Sequence, residues 1–313
     1  MTGTSNRRTR PTRIAAILAS CVLFLAGCAG ENGETEPEVD RTLQEARSVN
    51  QSRHVAERFE AHPLVMDDPD GFATCQLFYP SSEVLILSDD TPAAQLRAAS
   101  LAVVVHAPML IYRSERHADV IREIERMNTH TVFAVGDVPV LGYTQQLKVI
   151  KDPGGKEALE KATALEFSER DVSSPEDAAE AVAGLMDGDP VWLRATYGPD
   201  QHVYPDAEAG VVPVRSRQDA EMAPQVIALA ESPLAALATA RAFGANVYVT
   251  DDPDPRASEL TLVLTAGLAE RPLVALGKAF GTNEELAQRI IDAEASVAPG
   301  DLNNVSSLPQ APD

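Results

Sequence analysis

Glu83 to Pro92, EVLILSDDTP, opens a pattern that recurs along the chain. Val84-Leu85-Ile86-Leu87 is wholly apolar, without alternation, as expected of a strand covered on both faces. Thr91 then offers a hydroxyl to cap a helix, and Pro92 suits that helix's first turn. An Ala- and Leu-rich helix is expected from there to about Val105. Working outward, Pro108 to Tyr112 (PMLIY) reads as a second strand. Ala118 to Met127 (ADVIREIERM) places Val120, Ile121, Ile124 and Met127 on one helical face. Thr131 to Val135 (TVFAV) reads as a third strand, closed by Gly136. Strand–helix–strand–helix–strand order demands crossovers, hence a parallel sheet with helices packed over it.

The same grammar returns near the C-terminus. Val226-Ile227-Ala228-Leu229 reads as a strand, Ser232-Pro233 opens an Ala-rich helix, and Val247-Tyr248-Val249 is the next strand. A helix is expected over Arg256 to Ala266, then Leu273-Val274-Ala275-Leu276 as a third strand ended by Gly277. The first strands start 142 residues apart and the closing glycines 141, an almost constant offset that argues for internal duplication. The expected fold class is α/β, with tandem Rossmann-like repeats built from parallel three-stranded β-α-β-α-β units. The first unit spans 63–143 and the second 216–295. Residues 144–215 read as a connecting segment or a divergent repeat. In it, Thr163 to Phe167 (TALEF), a helix from Pro175 to Met186, and Val191-Trp192-Leu193 are the legible pieces. Three prolines and few apolar residues mark 296–313 as a disordered tail.

The opening has the three parts of an export signal. Arg7, Arg8, Arg10 and Arg13 form a basic start, and Ile14 to Leu25 is an apolar run too short for a lasting span. Leu25-Ala26-Gly27-Cys28 resembles the lipobox of bacterial lipoprotein precursors. That resemblance implies removal of residues 1–27 and acylation of Cys28, with palmitate among the chains. Two or more acyl chains would anchor the protein stably to the extracytoplasmic face of the cell membrane. Residues 28–62 then read as an acidic tether followed by an amphipathic entry helix over Arg41 to Glu60.

Acidic residues outnumber basic ones 47 to 26, for a net charge of −21. Loss of the four leader arginines takes the mature chain to −25, a field that repels nucleic acid and other polyanions. Of the three cysteines, Cys21 leaves with the signal and Cys28 is acylated, so Cys75 has no intramolecular partner. Its apolar, aromatic surroundings point to a buried structural thiol.

Catalytic signatures are missing from the string. Gly154-Gly155-Lys156 is followed by Glu157 and reads as a turn before a helix, not a phosphate loop. No nucleophile elbow or His-Glu-x-x-His motif occurs, and the six histidines lack metal spacing. No cofactor is expected. The one constellation of candidate ligand or cation residues is Asp89, Asp90, Asp137, Asp251 and Asp252, each just after a parallel strand, where open α/β sheets bind ligands. Helix capping accounts for Asp89 and Asp90 equally well. Trp192, Tyr197 and Tyr204 lie in a Gly- and Pro-rich stretch. Aromatic rings there could stack on sugar faces, although Trp192, between Val191 and Leu193, fits a core better.

The run EVLILSDDTPAAQLRAASLAVVVHAPMLIY…VFAVGD resembles the type 2 cell-wall-binding repeat, found in tandem in Gram-positive surface proteins. Ala107-Pro108-Met109-Leu110-Ile111 and Gly136 match its second strand and closing glycine. The later unit has Gly244-Ala245-Asn246-Val247-Tyr248-Val249 and Ala275-Leu276-Gly277 in those places. The family's Arg-x-x-Gly-x-x-Arg-Tyr opening is absent, and its usual three repeats are reduced to two readable ones. The resemblance implies a non-catalytic binding or scaffolding role at the wall, with a cell-wall polymer or another envelope protein as partner. Two alternatives remain: a solute-binding lipoprotein that hinges around a cleft, and an envelope hydrolase using clustered carboxylates.

Overall fold

Apolar strands and capped helices alternate as the pattern requires, and more often than it reveals. The computed structural model describes residues 38–139, 147–214 and 222–297. The chain runs α1 (Glu38–Ser52), β1 (Pro63–Met66), α2 (Phe72–Phe78), β2 (Val84–Ser88), α3 (Pro92–Val105), β3 (Met109–Ile111), α4 (His117–Met127) and β4 (Thr131–Val135). It continues through β5 (Lys148–Lys151), α5 (Lys156–Thr163), β6 (Ser168–Val172), α6 (Pro175–Ala183), β7 (Val191–Ala195) and β8 (Gln225–Ala228). The last elements are α7 (Leu234–Phe243), β9 (Val247–Val249), α8 (Glu259–Thr265), β10 (Leu273–Leu276) and α9 (Asn283–Ser296).

Two four-stranded sheets form, ordered β3-β2-β4-β5 and β9-β8-β10-β1, and every pairing in them is parallel. Each places its second strand, first strand and third strand side by side in that order. The central strands β2, β4, β8 and β10 are buried along their whole length, because helices cover both faces. The fourth position differs between the sheets: β5 fills it in one and β1 in the other. Here the structure corrects the expected boundary. Pro63–Met66 falls in the span read as the first unit, yet β1 pairs with β10, from Pro63↔Leu273 to Met66↔Leu276. Four residues carry no mark of which distant sheet they will join.

The middle of the chain forms a small parallel pair, β6 and β7, joined by α6. Thr163 to Phe167 forms no single element: α5 ends at Thr163, and the strand that follows is Ser168–Val172. Four of its five residues, Ser168, Glu169, Arg170 and Asp171, are exposed. A polar strand with one buried residue has no hydrophobic signature to read. The helix after it also ends sooner than expected, at Ala183, with Gly184 as its cap. Likewise α1 stops at Ser52 and not near Glu60, and the helix expected over Arg256 to Ala266 is shorter, Glu259–Thr265. The tail 298–313 and Cys28 lie outside the described residues.

The helices α3, α6 and α7 pack on one another and tie the three regions together. Each also lies on the second strand of a neighbouring region: α3 on β7, α6 on β9, and α7 on β3. This closes a ring of three contacts. Hydroxyls finish two of them. Ser100 Oγ accepts from Leu193 N at 2.9 Å, and Thr239 Oγ1 accepts from Met109 N at 3.0 Å. Both N–H groups belong to edge strands, where an unmet backbone donor would otherwise be buried. Because α3 faces its own sheet, β7 and α7 together, it is apolar nearly all round, and Leu96 to Val105 are buried without a break. At one end of this seam Phe59, Phe78 and Phe243 cluster, with ring centroids 5.5 to 6.2 Å apart.

Candidate functional site

The strand order reverses between β2 and β4, and again between β8 and β10. Open α/β sheets bind ligands at such places. Both crevices are closed by the chain's own side chains. Asp89 Oδ1 accepts from Thr91 N at 2.8 Å and Thr91 Oγ1 at 2.6 Å, while Oδ2 accepts from Asp137 N at 2.8 Å. The carboxylate therefore bridges the ends of β2 and β4. Gly136, at φ +81°, lets it sit there, since a Cβ at that position would collide with it. In the second sheet Ser232 Oγ accepts from Leu229 N at 2.8 Å and donates to Leu276 O at 2.6 Å. One polar side chain thus staples the crevice in each sheet.

The other aspartates are dispersed over local tasks. Asp90 is exposed and meets Arg113 Nη1 at 3.2 Å. Asp137 is exposed and hydrogen-bonds the Tyr204 phenol, whose pKa is raised by burial first and by Asp137 second. Asp251 accepts from Ser258 Oγ at 2.5 Å, and Asp252 Oδ1 accepts from Asp254 N at 2.8 Å. The first three lie at the end of one sheet and the last two at the edge strand of the other, so the five do not converge. Among the described residues no group of three or more His, Cys, Asp or Glu side chains could hold a metal ion. Cys75 is fully buried, its thiol 3.4 Å from Met127 Sδ.

A different place gathers the three regions. Thr91-Pro92, Ser174-Pro175 and Ser232-Pro233 each start a helix of the ring, and Thr91 and Ser174 cap theirs by accepting from Ala94 N and Asp177 N. The three starts line a pocket of about 320 Å³ together with Tyr197, Gln95 and Glu231. Tyr197 follows β7 and is half-buried. Its pKa is raised, by burial first and then by the charges of Glu176 and Asp177. Gly198, at φ +73°, packs on the Pro92 ring and lets this loop close over the first turn of α3.

Helix N-termini commonly attract anions, but proline has no N–H to offer, and the carboxylates of Glu176, Asp177 and Glu231 already offset the positive helix ends. The pocket is suited instead to a neutral, hydroxyl-bearing molecule. Proline rings and an aromatic face supply flat apolar contacts, and carboxylate and amide groups accept from hydroxyls. The spacing of Ser/Thr-Pro dipeptides after strands was the signal for this site. Only two of the three were legible as helix starts after strands, because the strand before Ser174 is polar.

No family model matches the chain, and no curated protein or solved structure matches it. Among the described residues no helix is long and apolar enough to cross a membrane.

Proposed function

We propose that this protein is a membrane-tethered, non-catalytic binding protein of the cell envelope, akin to the type 2 cell-wall-binding repeat proteins, and that it holds a neutral saccharide in the pocket between its three helix starts. The observation that carries this reading is the convergence of Pro92, Pro175 and Pro233 with Tyr197 around one pocket. The ring of α3, α6 and α7 on β7, β9 and β3 supports treating residues 144–215 as a third, divergent repeat. The same ring favours a rigid scaffold over a hinged solute binder, since two lobes sharing buried helix faces have no loose crossing to bend about. The acidic field favours a neutral glycan over an anionic polymer.

The test is co-sedimentation of the full-length protein with purified, phosphate-free wall glycan. Tyr197→Ala should lower the retained fraction about tenfold, the scale of one aromatic stacking contact. Equal retention of the two proteins, or new reducing ends appearing in the glycan, would refute the reading.

A further inference from the structure

A cavity of about 200 Å³ lies between the C-terminal end of α1, the start of β8 and the turn before β10, away from the pocket of the helix starts. Arg53, His54 and Arg271 line it, together with three amide side chains and the apolar Val55, Leu268 and Pro272. The Arg53 guanidinium is held by its terminal nitrogens. Nη2 donates to Tyr248 Oη at 3.3 Å, and the Asn246 amide oxygen, turned as the hydrogen-bond network requires, accepts from Nη1 at 2.5 Å and Nη2 at 3.2 Å. Its Nε is buried and has no hydrogen-bond partner among the described residues. Among the described residues every partner of this cation is neutral. Among the described residues neither Arg53 nor Arg271 forms an ion pair.

Two guanidinium groups without a carboxylate stand out in a chain where acids outnumber bases 47 to 26. The carbonyl end of α1 favours a cation beside it, which accounts for a charge at position 53. It does not account for a second arginine, Arg271, on the same cavity. An oxyanion would neutralise both arginines, because guanidinium edges match the spacing of carboxylate or phosphate oxygens. The apolar wall of Val55, Leu268 and Pro272 would then receive whatever the anion carries.

We propose that this cavity binds a small organic anion, with its oxyanion head on Arg53 and Arg271 and a short apolar body against Val55, Leu268 and Pro272. The test is calorimetric titration of the full-length protein at fixed ionic strength with acetate, isovalerate and inorganic phosphate. Isovalerate should bind saturably and at least about fivefold tighter than acetate, since its added carbons reach the apolar wall. Arg271→Gln, at an exposed position, should weaken isovalerate by about tenfold or more, as for loss of one charge-assisted contact. Arg53→Gln should do the same if it folds, and the Arg271 variant suffices if it does not. No saturable isovalerate binding up to about 50 mM would overturn the proposal. So would unchanged affinity in Arg271→Gln, or equal affinity for acetate, phosphate and isovalerate. None of these outcomes bears on glycan retention through Tyr197.

Discussion

Arg97 in α3 and Asp152 at the end of β5 form a bidentate ion pair, Nε to Oδ2 at 2.6 Å and Nη2 to Oδ1 at 2.8 Å. Both side chains are sealed from solvent, at 1% and 0% exposure. Gly154 N and Gln201 Nε2 donate to the same carboxylate at 3.1 and 3.0 Å, and Gly155 O accepts from Arg97 Nη2 at 2.9 Å. The pair fixes the turn after β5 against α3, and so locates the segment leading into the third region. Removing one partner strands a buried charge. Arg97→Met or Asp152→Ala should each destabilise by about 3–5 kcal/mol, and the double replacement by clearly less than their sum. Urea denaturation of the three variants measures this, and additive losses would show that the two groups act independently.

Gly136 and Asp89 should also be sensitive, though less so and for a different reason. Gly136→Ala forces a side chain into a left-handed conformation and against the Asp89 carboxylate, at a cost of about 1–3 kcal/mol. Asp89→Asn loses charge-assisted bonds from two backbone N–H groups and should also cost about 1–3 kcal/mol. Asp90→Asn and Asp252→Asn touch exposed or single local contacts and should stay within about 1 kcal/mol. Equal midpoints for the Asp89 and Asp90 variants would contradict the staple.

Burial pushes the Cys75 thiol well above its usual 9.0, and the Glu123 carboxylate adds to the rise. Burial does the same to Tyr79, above its usual 10.0. As pH climbs past 9, the unfolded chain releases these protons while the folded chain keeps them. The folded state then binds more protons, so stability must fall with rising pH. Each group contributes a slope of at most about 1.4 kcal/mol per pH unit. Cys75→Ala should flatten the decline between pH 9 and 10 in a pH series of denaturation curves. An unchanged slope would mean that the thiol titrates normally in the folded protein.

Lipidation is predicted to depend wholly on Cys28. Cys28→Ala expressed in a bacterial host should incorporate no labelled palmitate and should be released from the membrane or left uncleaved. Label retained by that variant would place the acyl chains elsewhere.

The sequence by itself determined the elements that announce themselves locally. Val84 to Leu87, Val132 to Val135 and Leu273 to Leu276 are apolar without a break because both sheet faces are covered, and that alone identifies parallel α/β layers. Thr91-Pro92 marks the start of α3 because a capping hydroxyl and a fixed φ act within one turn. Tertiary structure alone decided the rest. β1 joins β10, two hundred residues downstream, through backbone bonds that no side-chain pattern encodes. The polar strand Ser168–Val172 exists because β7 pairs with it, not because its residues prefer burial. The aspartates expected at open strand ends are occupied because neighbouring turns come within reach of them. Pro92, Pro175, Pro233 and Tyr197 meet because three helices separated along the chain share one seam. A pattern in sequence reports what each residue is covered by; it cannot report which distant segment does the covering.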